Sequence, residues 1–379
     1  MRGSVIKRGS SYSVVLDLGR DAATGERRRT WHSGYRTKRD AERARVKLLA
    51  ELDRGGYVEP ATITVGSFLL DRWLPGVAVR LRGNTLAMYR QNIGAQIVPR
   101  LGFIPLQRLT PPDLNAFYAE LLAGGRRDGN GGLSERTVRI QHVILRRALG
   151  DAVRWGLLAR NPAEYADPPH GRSAEAAVWS PQQVREFLGY HAEDRLLGLW
   201  RLAAATGMRR SELAGLPWDD VDLVAATVTV RQVVVDAAGD LLVTEPKTAA
   251  SRRTIALDAG TVATLKRHRS VQSAERLVAG PVWRDTGMVF TMEDGRALQP
   301  AYVTRVFSKR AVAAGLPPVT FHALRHSYLT MLLRSGEPLR VVSQRAGHSS
   351  PNVTLAVYSH ALPGDDQAAA ERGGRLLDS

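Results

Sequence analysis

The sequence predicts an α+β chain of several domains, and three features carry that prediction. Short, nearly alternating apolar stretches occupy the N-terminal part, a pattern that suits strands. Helix-period segments with recognisable starts follow from residue 63 to the 160s. A second group of alternating segments, 227–257, lies inside a remainder that is otherwise helical. The expected organisation is a small three-stranded sheet plus helix (1–58), a helical domain (63–166), and a mainly α domain with a small antiparallel sheet (178–379). A chain of 379 residues is long enough for two or three sizeable cores.

In the first part, Val5–Lys7, Tyr12–Leu18 and Arg28–Tyr35 read as strands between Gly-, Ser- and Asp-rich turns. Thr37–Leu52 reads as a helix, because Ala44, Leu48 and Leu52 recur at four-residue spacing. Residues 1–54 hold 14 Lys/Arg against 7 Asp/Glu, and Arg27-Arg28-Arg29 leads into the third strand. A basic strand surface suits insertion into a DNA groove. A small basic cap packed on the rest is the plainer alternative.

Gly55–Thr62 reads as a linker. Thr64–Trp73 is then expected as a helix ending before Pro75, and Asn84–Ile93 as a second. Pro111–Leu122 is a third, with Thr110 as N-cap and proline at the first helical positions. Ser134–Trp155 is the longest of the four and puts Arg139, Arg146 and Arg154 near one face. Such a stripe is either a solvated face or a contact to a nucleic-acid backbone.

Asp167–Ala177, with Pro168-Pro169, is the next linker. Ser180-Pro181 opens the third part with a cap and a first-turn proline. Helices at Leu196–Thr206 and Arg210–Leu216 precede strands at Thr227–Val235, Leu241–Glu245 and Arg253–Leu257. From Gln299 the chain reads as helical to near its end.

Composition narrows the function. There are 53 Lys+Arg against 37 Asp+Glu, a formal net charge of +16. Such a surplus favours polyanions, since every phosphate neutralised releases counterions. The absence of cysteine excludes disulfides, thiolate catalysis and Cys-based zinc sites. No run approaches the roughly 18 apolar residues of a membrane helix, and the start lacks a signal-peptide apolar region. A cytoplasmic protein that contacts no membrane is the expectation.

The last 60 residues concentrate unusual chemistry. His322 and Arg325 are three apart and share one helical face, where an imidazole and a guanidinium fork can meet one phosphate. His348 follows, and Tyr358 lies ten residues on, in a helix opened by Ser350-Pro351. A phenol attacks phosphorus only if cations neutralise the developing oxyanion. A second arginine comes from Thr206-Gly207-Met208-Arg209-Arg210-Ser211-Glu212, where the glycine allows a tight turn and Glu212 can hold Arg209. Arg210 competes with Arg209. Lys247, expected on a hairpin turn, can serve as a leaving-group acid if neighbouring arginines lower its pKa. Tyr328 is the rival nucleophile, set back by lying in a helix that should be pinned in the core. His322 and His326 have metal-ligand spacing, but Ala323 stands where a zinc-protease helix has glutamate. No metal is expected, and His326 reads as a packed residue.

In this order and spacing, Thr-Gly-x-Arg209-x-x-Glu, Pro-Lys247-Thr, His322-x-x-Arg325-His-Ser, Gly-His348 and Tyr358 resemble the catalytic set of the tyrosine recombinase (phage integrase) family. The resemblance spans the whole third part. The two preceding parts are similar to the arm-type DNA-binding and helical core-binding domains of the larger integrases. By that likeness Arg209 and Arg325 clamp the scissile phosphate and Lys247 is the general acid. His322 assists proton transfer from the nucleophile Tyr358, and His348 hydrogen-bonds a phosphate oxygen. Ala346 stands where many members have leucine, a change that should touch packing only.

The resemblance implies a site-specific DNA recombinase that cuts double-stranded DNA at attachment sites through a 3′-phosphotyrosine and passes through a Holliday junction. It implies a homotetramer on DNA, with a directionality factor and a DNA-bending protein as further partners. Bond energy kept in the phosphotyrosine means that no cofactor, ATP or metal is needed. A plasmid or chromosome-dimer resolvase, a type IB topoisomerase-like nicking enzyme and a non-catalytic DNA-binding regulator are the rivals.

Overall fold

Strands β1 (Gly3–Arg8), β2 (Ser11–Arg20) and β3 (Arg27–Tyr35) form an antiparallel sheet in that order. The computed structural model in which they lie describes residues 3–20, 24–53, 57–126, 128–170, 177–237, 240–246, 248–358 and 366–377. Val14 and Leu16 of β2 are fully buried against helix α1 (Lys38–Asp53), whose Ala41, Ala44 and Leu48 face them. Thr37 Oγ1 accepts the Asp40 amide at 3.1 Å and so starts α1. Trp31 of β3 is left 42% exposed, and the Arg8 guanidinium lies 4.5 Å from its ring centroid.

Two units make up the chain, Met1–Ser173 and Ala174–Ser379. The rest of the first is helical: α2 (65–78), α3 (83–101), α4 (Pro111–Gly124) and α5 (Glu135–Arg154). The sequence expectation that α2 ends before Pro75 and α3 at Ile93 is corrected, since both continue through a proline. The reason is a π-helical stretch ahead of each. Leu74 N–H donates to Leu69 and Val98 N–H to Ile93, five residues back, just before Pro75 and Pro99. Widening the turn there accommodates a ring that lacks an N–H and would strike the preceding turn. Phe68, Trp73, Ile93, Ile97, Leu145 and Leu149 fill the core between these helices.

In the second unit, a capping box between Ser180 and Gln183 starts α6 (Pro181–Tyr190). Then come α7 (Leu197–Thr206) and α8 (Arg210–Ala214). Strands β4 (Val221–Asp222), β5 (Thr227–Val230) and β8 (Arg253–Ala256) form one sheet in the order β4-β5-β8. Strands β6 (Val233–Ala237) and β7 (Asp240–Thr244) form a separate hairpin. The single expected strand 227–235 is thus two. At the break, Gln232 Nε2 donates to the Gly215 carbonyl at 3.0 Å and Arg231 pairs with Asp220 at 2.8 Å, turning β6 across the end of α8. Of the two strands expected to flank a hairpin at Lys247, β7 pairs with β6 and β8 with β5, in different sheets; Lys247 itself lies outside the described residues.

Helix α9 (Ala259–Ala279), capped by Asp258, occupies a stretch to which the sequence reading gave no element. The helical end comprises α10 (Pro300–Ala313), α11 (Phe321–Arg334), α12 (Leu339–Ala346), α13 (Pro351–Tyr358) and α14 (Asp366–Leu377). Trp179, Phe187, Trp200, Phe307 and Phe321 meet in one aromatic core, each side chain contributing roughly 1.5–3 kcal/mol by burial. Ser327 Oγ of α11 accepts the Trp179 amide at 2.8 Å, which fixes α11 to the start of the unit. The site is built on that rigid helix. Among the described residues no helix is long and apolar enough to cross a membrane.

Candidate active site

Two helix C-termini, those of α7 and α12, converge on Arg325. Each ends in a left-handed glycine, Gly207 at φ 65° and Gly347 at φ 64°. Arg325, only 3% exposed, donates from Nη1 to the Gly207 carbonyl and from Nη2 to the Ala346 carbonyl, both at 2.7 Å. Helix-end carbonyls carry partial negative charge, so they suit a buried cation. A Cβ at Gly207 would sit 2.8 Å from Tyr328 Cδ1, so glycine is required there by both space and φ.

Arg325 Nη2 also donates to His348 Nε2 at 2.9 Å, and His348 Nδ1 lies 2.7 Å from Thr354 Oγ1. Arginine has no acceptor, so Nε2 is the unprotonated nitrogen and Nδ1–H donates to Thr354. Burial, then the charges of Arg325, Arg209 and Arg253, lower the His348 pKa to about 4. The imidazole is neutral in this arrangement.

Arg209 is the N-cap residue of α8, and Glu212 one turn on holds it twice. The Arg209 amide donates to Glu212 Oε2 at 2.9 Å and Nη1 to Oε1 at 2.7 Å, while Nη2 reaches the Gly347 carbonyl at 3.3 Å. Arg210, the competing candidate, is exposed and donates to Thr304 Oγ1 of α10 at 2.9 Å. Glu212 itself is 2% exposed. Burial alone would raise its pKa, but the charge and hydrogen bonds of Arg253, then Arg209, outweigh it and hold the carboxyl below its usual range.

His322 begins α11 and keeps solvent contact, with its ring against His326 at 4.8 Å between centroids and 87° between planes. The protein packed around it, then the charges of His326, Arg325, Arg209 and Arg210, lower its pKa to about 4. Tyr328 is buried in α11; its hydroxyl accepts from Arg345 Nε at 2.6 Å and burial raises its pKa. Tyr358 ends α13, and its side chain lies outside the described residues, as does Lys247 altogether. The structure therefore gathers Arg209, Arg325 and His348, with His322 within electrostatic reach. Among the described residues no group of three or more His, Cys, Asp or Glu side chains is placed to hold a metal.

Arg253 is the residue that sequence reasoning passed over. It donates to both Glu212 oxygens, at 3.2 and 2.9 Å, and to the carbonyls of Arg345 at 2.7 Å and Ser251 at 3.0 Å. The available signal was the strand period of two, which puts Arg253 on the same face as the buried Ile255.

Comparison with known proteins places these parts. Residues 179–364 match the phage integrase family, 4–52 an arm DNA-binding domain, and 67–122 the SAM-like N-terminal domain of phage integrases. A tyrosine recombinase XerC-like protein of Caldanaerobacter subterraneus subsp. tengcongensis is 28% identical, with 97% of this chain and 96% of that protein covered. The fold is similar to the Tn1549 transposon integrase in complex with a circular intermediate DNA, at TM-score 0.70 and 21% identity over 82% of this chain and 99% of that one. It is also similar to a lambda integrase tetramer bound to a Holliday junction, at TM-score 0.56 and 20% identity over 90% of each chain.

Proposed function

The chain belongs to the phage integrase family of tyrosine recombinases, enzymes that break and rejoin DNA, and from that premise we propose a site-specific recombinase that integrates and excises a mobile element at paired attachment sites. The single observation that carries this reading is the joint placement of Arg209, Arg325 and His348 at helix ends, one short helix before Tyr358. Two guanidinium groups there neutralise the non-bridging oxygens of one phosphodiester.

The Tyr358 phenol oxygen bonds to phosphorus as the bond from phosphorus to the 5′-oxygen breaks. Its proton passes to the neutral His322, which a pKa of about 4 keeps unprotonated at neutral pH. Lys247 supplies the proton that the leaving 5′-oxygen takes up. His348 positions Arg325 through Nε2; donating to a phosphate oxygen requires it to give up that bond or gain a proton. A 5′-hydroxyl of another strand then reverses the step, and the high-energy link passes through the phosphotyrosine without a cofactor.

Three parts serve this chemistry: 1–58 reads arm sites, 63–166 grips the core site, and 178–379 cuts. The α5 groove of about 520 Å³, lined by Arg139, Arg146, Arg147 and Arg154 over His142, suits a phosphate backbone. The lambda integrase tetramer bound to a Holliday junction supports a homotetramer on DNA. A cytoplasmic location, a directionality factor and a DNA-bending protein belong to the proposal through the family resemblance alone. The arm-domain match favours an integrase over a plasmid or chromosome-dimer resolvase.

Covalent trapping tests the reading. Nicked duplexes covering candidate core sites flanking the gene are incubated with protein in EDTA without ATP, and SDS-stable adducts are mapped by peptide. An adduct on Tyr358 that is lost in Tyr358→Phe is expected, while Tyr328→Phe keeps forming it because that hydroxyl is engaged by Arg345. An adduct on Tyr328 would refute the assignment of the nucleophile. Tight, specific binding without any adduct would leave a DNA-binding regulator.

A further inference from the structure

Arg253 has a side chain only 7% exposed and ties its own strand β8 to two segments that are distant in sequence, α8 and α12. Through Nη1 and Nη2 it holds both oxygens of Glu212, the carboxylate that also holds Arg209. Through Nε it holds the Arg345 carbonyl in the last turn of α12, three residues before His348. Nη1 also holds the Ser251 carbonyl, in the segment that crosses between the two sheets. The fit around it is close: a Cβ at Gly347 would fall 2.8 Å from Arg253 Nη1.

The charge pattern gives these contacts a consequence. Glu212 is buried between two guanidinium groups. With Arg253 absent, a buried carboxylate would keep one cation and would draw Arg209 fully onto itself, away from any phosphate. With Arg253 present, the carboxylate is shared, and Arg209 remains at 33% side-chain exposure with Nη2 directed to the Gly347 turn. The planar fork matters as much as the charge, because three acceptors in different directions must be met at once.

We propose that Arg253 is a positioning residue for strand cleavage: by sharing Glu212 and gripping the end of α12, it holds Arg209 and the His348 turn in one fixed arrangement around the scissile phosphate. It touches neither DNA nor reacting atoms. The inference rests on the recombinase reading above, and deepens it by naming a residue outside the expected catalytic set.

The test uses full-length protein and a nicked core-site duplex, with single-turnover rates of adduct formation measured at saturating DNA for wild type, Arg253→Lys and Arg253→Met. Core-site affinity and thermal midpoint are measured alongside. Arg253→Lys keeps the charge and guards against a fold lost in Arg253→Met. A displacement of the clamp by about 1 Å should slow Arg253→Lys by about 100-fold while its affinity stays within about threefold of wild type. The discriminating readout is a duplex with a methylphosphonate at the scissile position, which removes the negative charge that Arg209 must meet. On it the deficit should shrink to within about tenfold, as the demand on the clamp falls.

A folded Arg253→Lys that cleaves at the wild-type rate would overturn the proposal. An equal deficit on both duplexes would also overturn it, leaving a general structural role. Wild type that forms no adduct at all would instead defeat the recombinase reading, so the two failures are distinguishable.

Discussion

Arg325 donates to His348 Nε2 at 2.9 Å, and this one contact fixes which nitrogen of the imidazole carries its proton. Because His348 Nδ1–H is then directed at the buried Thr354 Oγ1, the loop before α13 is tied both to the cationic centre and to the first turns of the helix that carries Tyr358. The same arginine spans the ends of α7 and α12 through two backbone carbonyls. A single guanidinium therefore sets the relative position of three chain segments. Its geometry, and not only its charge, is what the site depends on.

Arg325→Lys should consequently lose far more activity than binding. An ammonium cannot reach two carbonyls and an imidazole at once. Adduct formation should fall by about 100- to 1000-fold, the scale of losing one oxyanion-stabilising donor, while gel-shift affinity for core DNA changes by a few-fold. A variant that cleaves within about tenfold of wild type would show that the fork is not required.

Stability should fall as pH is lowered from about 6.5 to about 4. His322 and His348 have folded-state pKa values of about 4 against 6.5 in an unfolded chain, so between these limits the unfolded state takes up protons that the folded state refuses. Stability is fully present above 6.5 and this contribution has gone once pH is below 4. Glu212 acts in the same sense at lower pH, its folded pKa being depressed below 4.5. Urea midpoints followed by circular dichroism across this window check the slope; Thr354→Val, which removes the Nδ1 partner of His348, should alter it.

Gly207→Ala should destabilise by about 1–3 kcal/mol, since a side chain at φ 65° is strained and the new methyl would meet Tyr328. The strained turn carries the carbonyl that holds Arg325, so cleavage should fall as well. Denaturant titration and the trapping assay measure the two effects separately. Unchanged stability would mean that the turn relaxes freely.

Arg146→Ala in the α5 groove should weaken core-site binding with little dependence on base sequence, and reduce the slope of log affinity against log salt by about 1. Titrations at several salt concentrations, with specific and scrambled duplexes, test this. An unaltered slope would assign the arginine stripe to solvent.

Local chemistry was legible in the sequence because it depends on neighbours in the chain. The strands of the N-terminal sheet, the caps at Thr110 and Ser180, the start of α13 at Pro351 and the helical face shared by His322 and Arg325 all follow from short-range spacing. So did the α+β class and the order of the motifs that relate the chain to tyrosine recombinases. The sequence also suggested that Glu212, one turn beyond Arg209, would hold it, and a contact of that range is within reach of spacing arguments.

Tertiary structure decided whatever depends on residues brought from far apart. Period alone could not show that 227–235 splits between two sheets, because only the partners β8 and β7 divide it. Nor could it show that α2 and α3 pass through Pro75 and Pro99, since packing of Phe68, Trp73, Ile93 and Ile97 in one core favours the π-turn over a break. Arg210 competes with the favoured Arg209 in the sequence, and the fold separates them: Glu212 and the Gly347 carbonyl hold Arg209, while Thr304 takes Arg210. The neutral state of His348 and the burial of Arg253 arise only where β8, α8 and α12 meet. A sequence states which groups are available. Desolvation and hydrogen-bond geometry, which exist only after folding, determine what each group does.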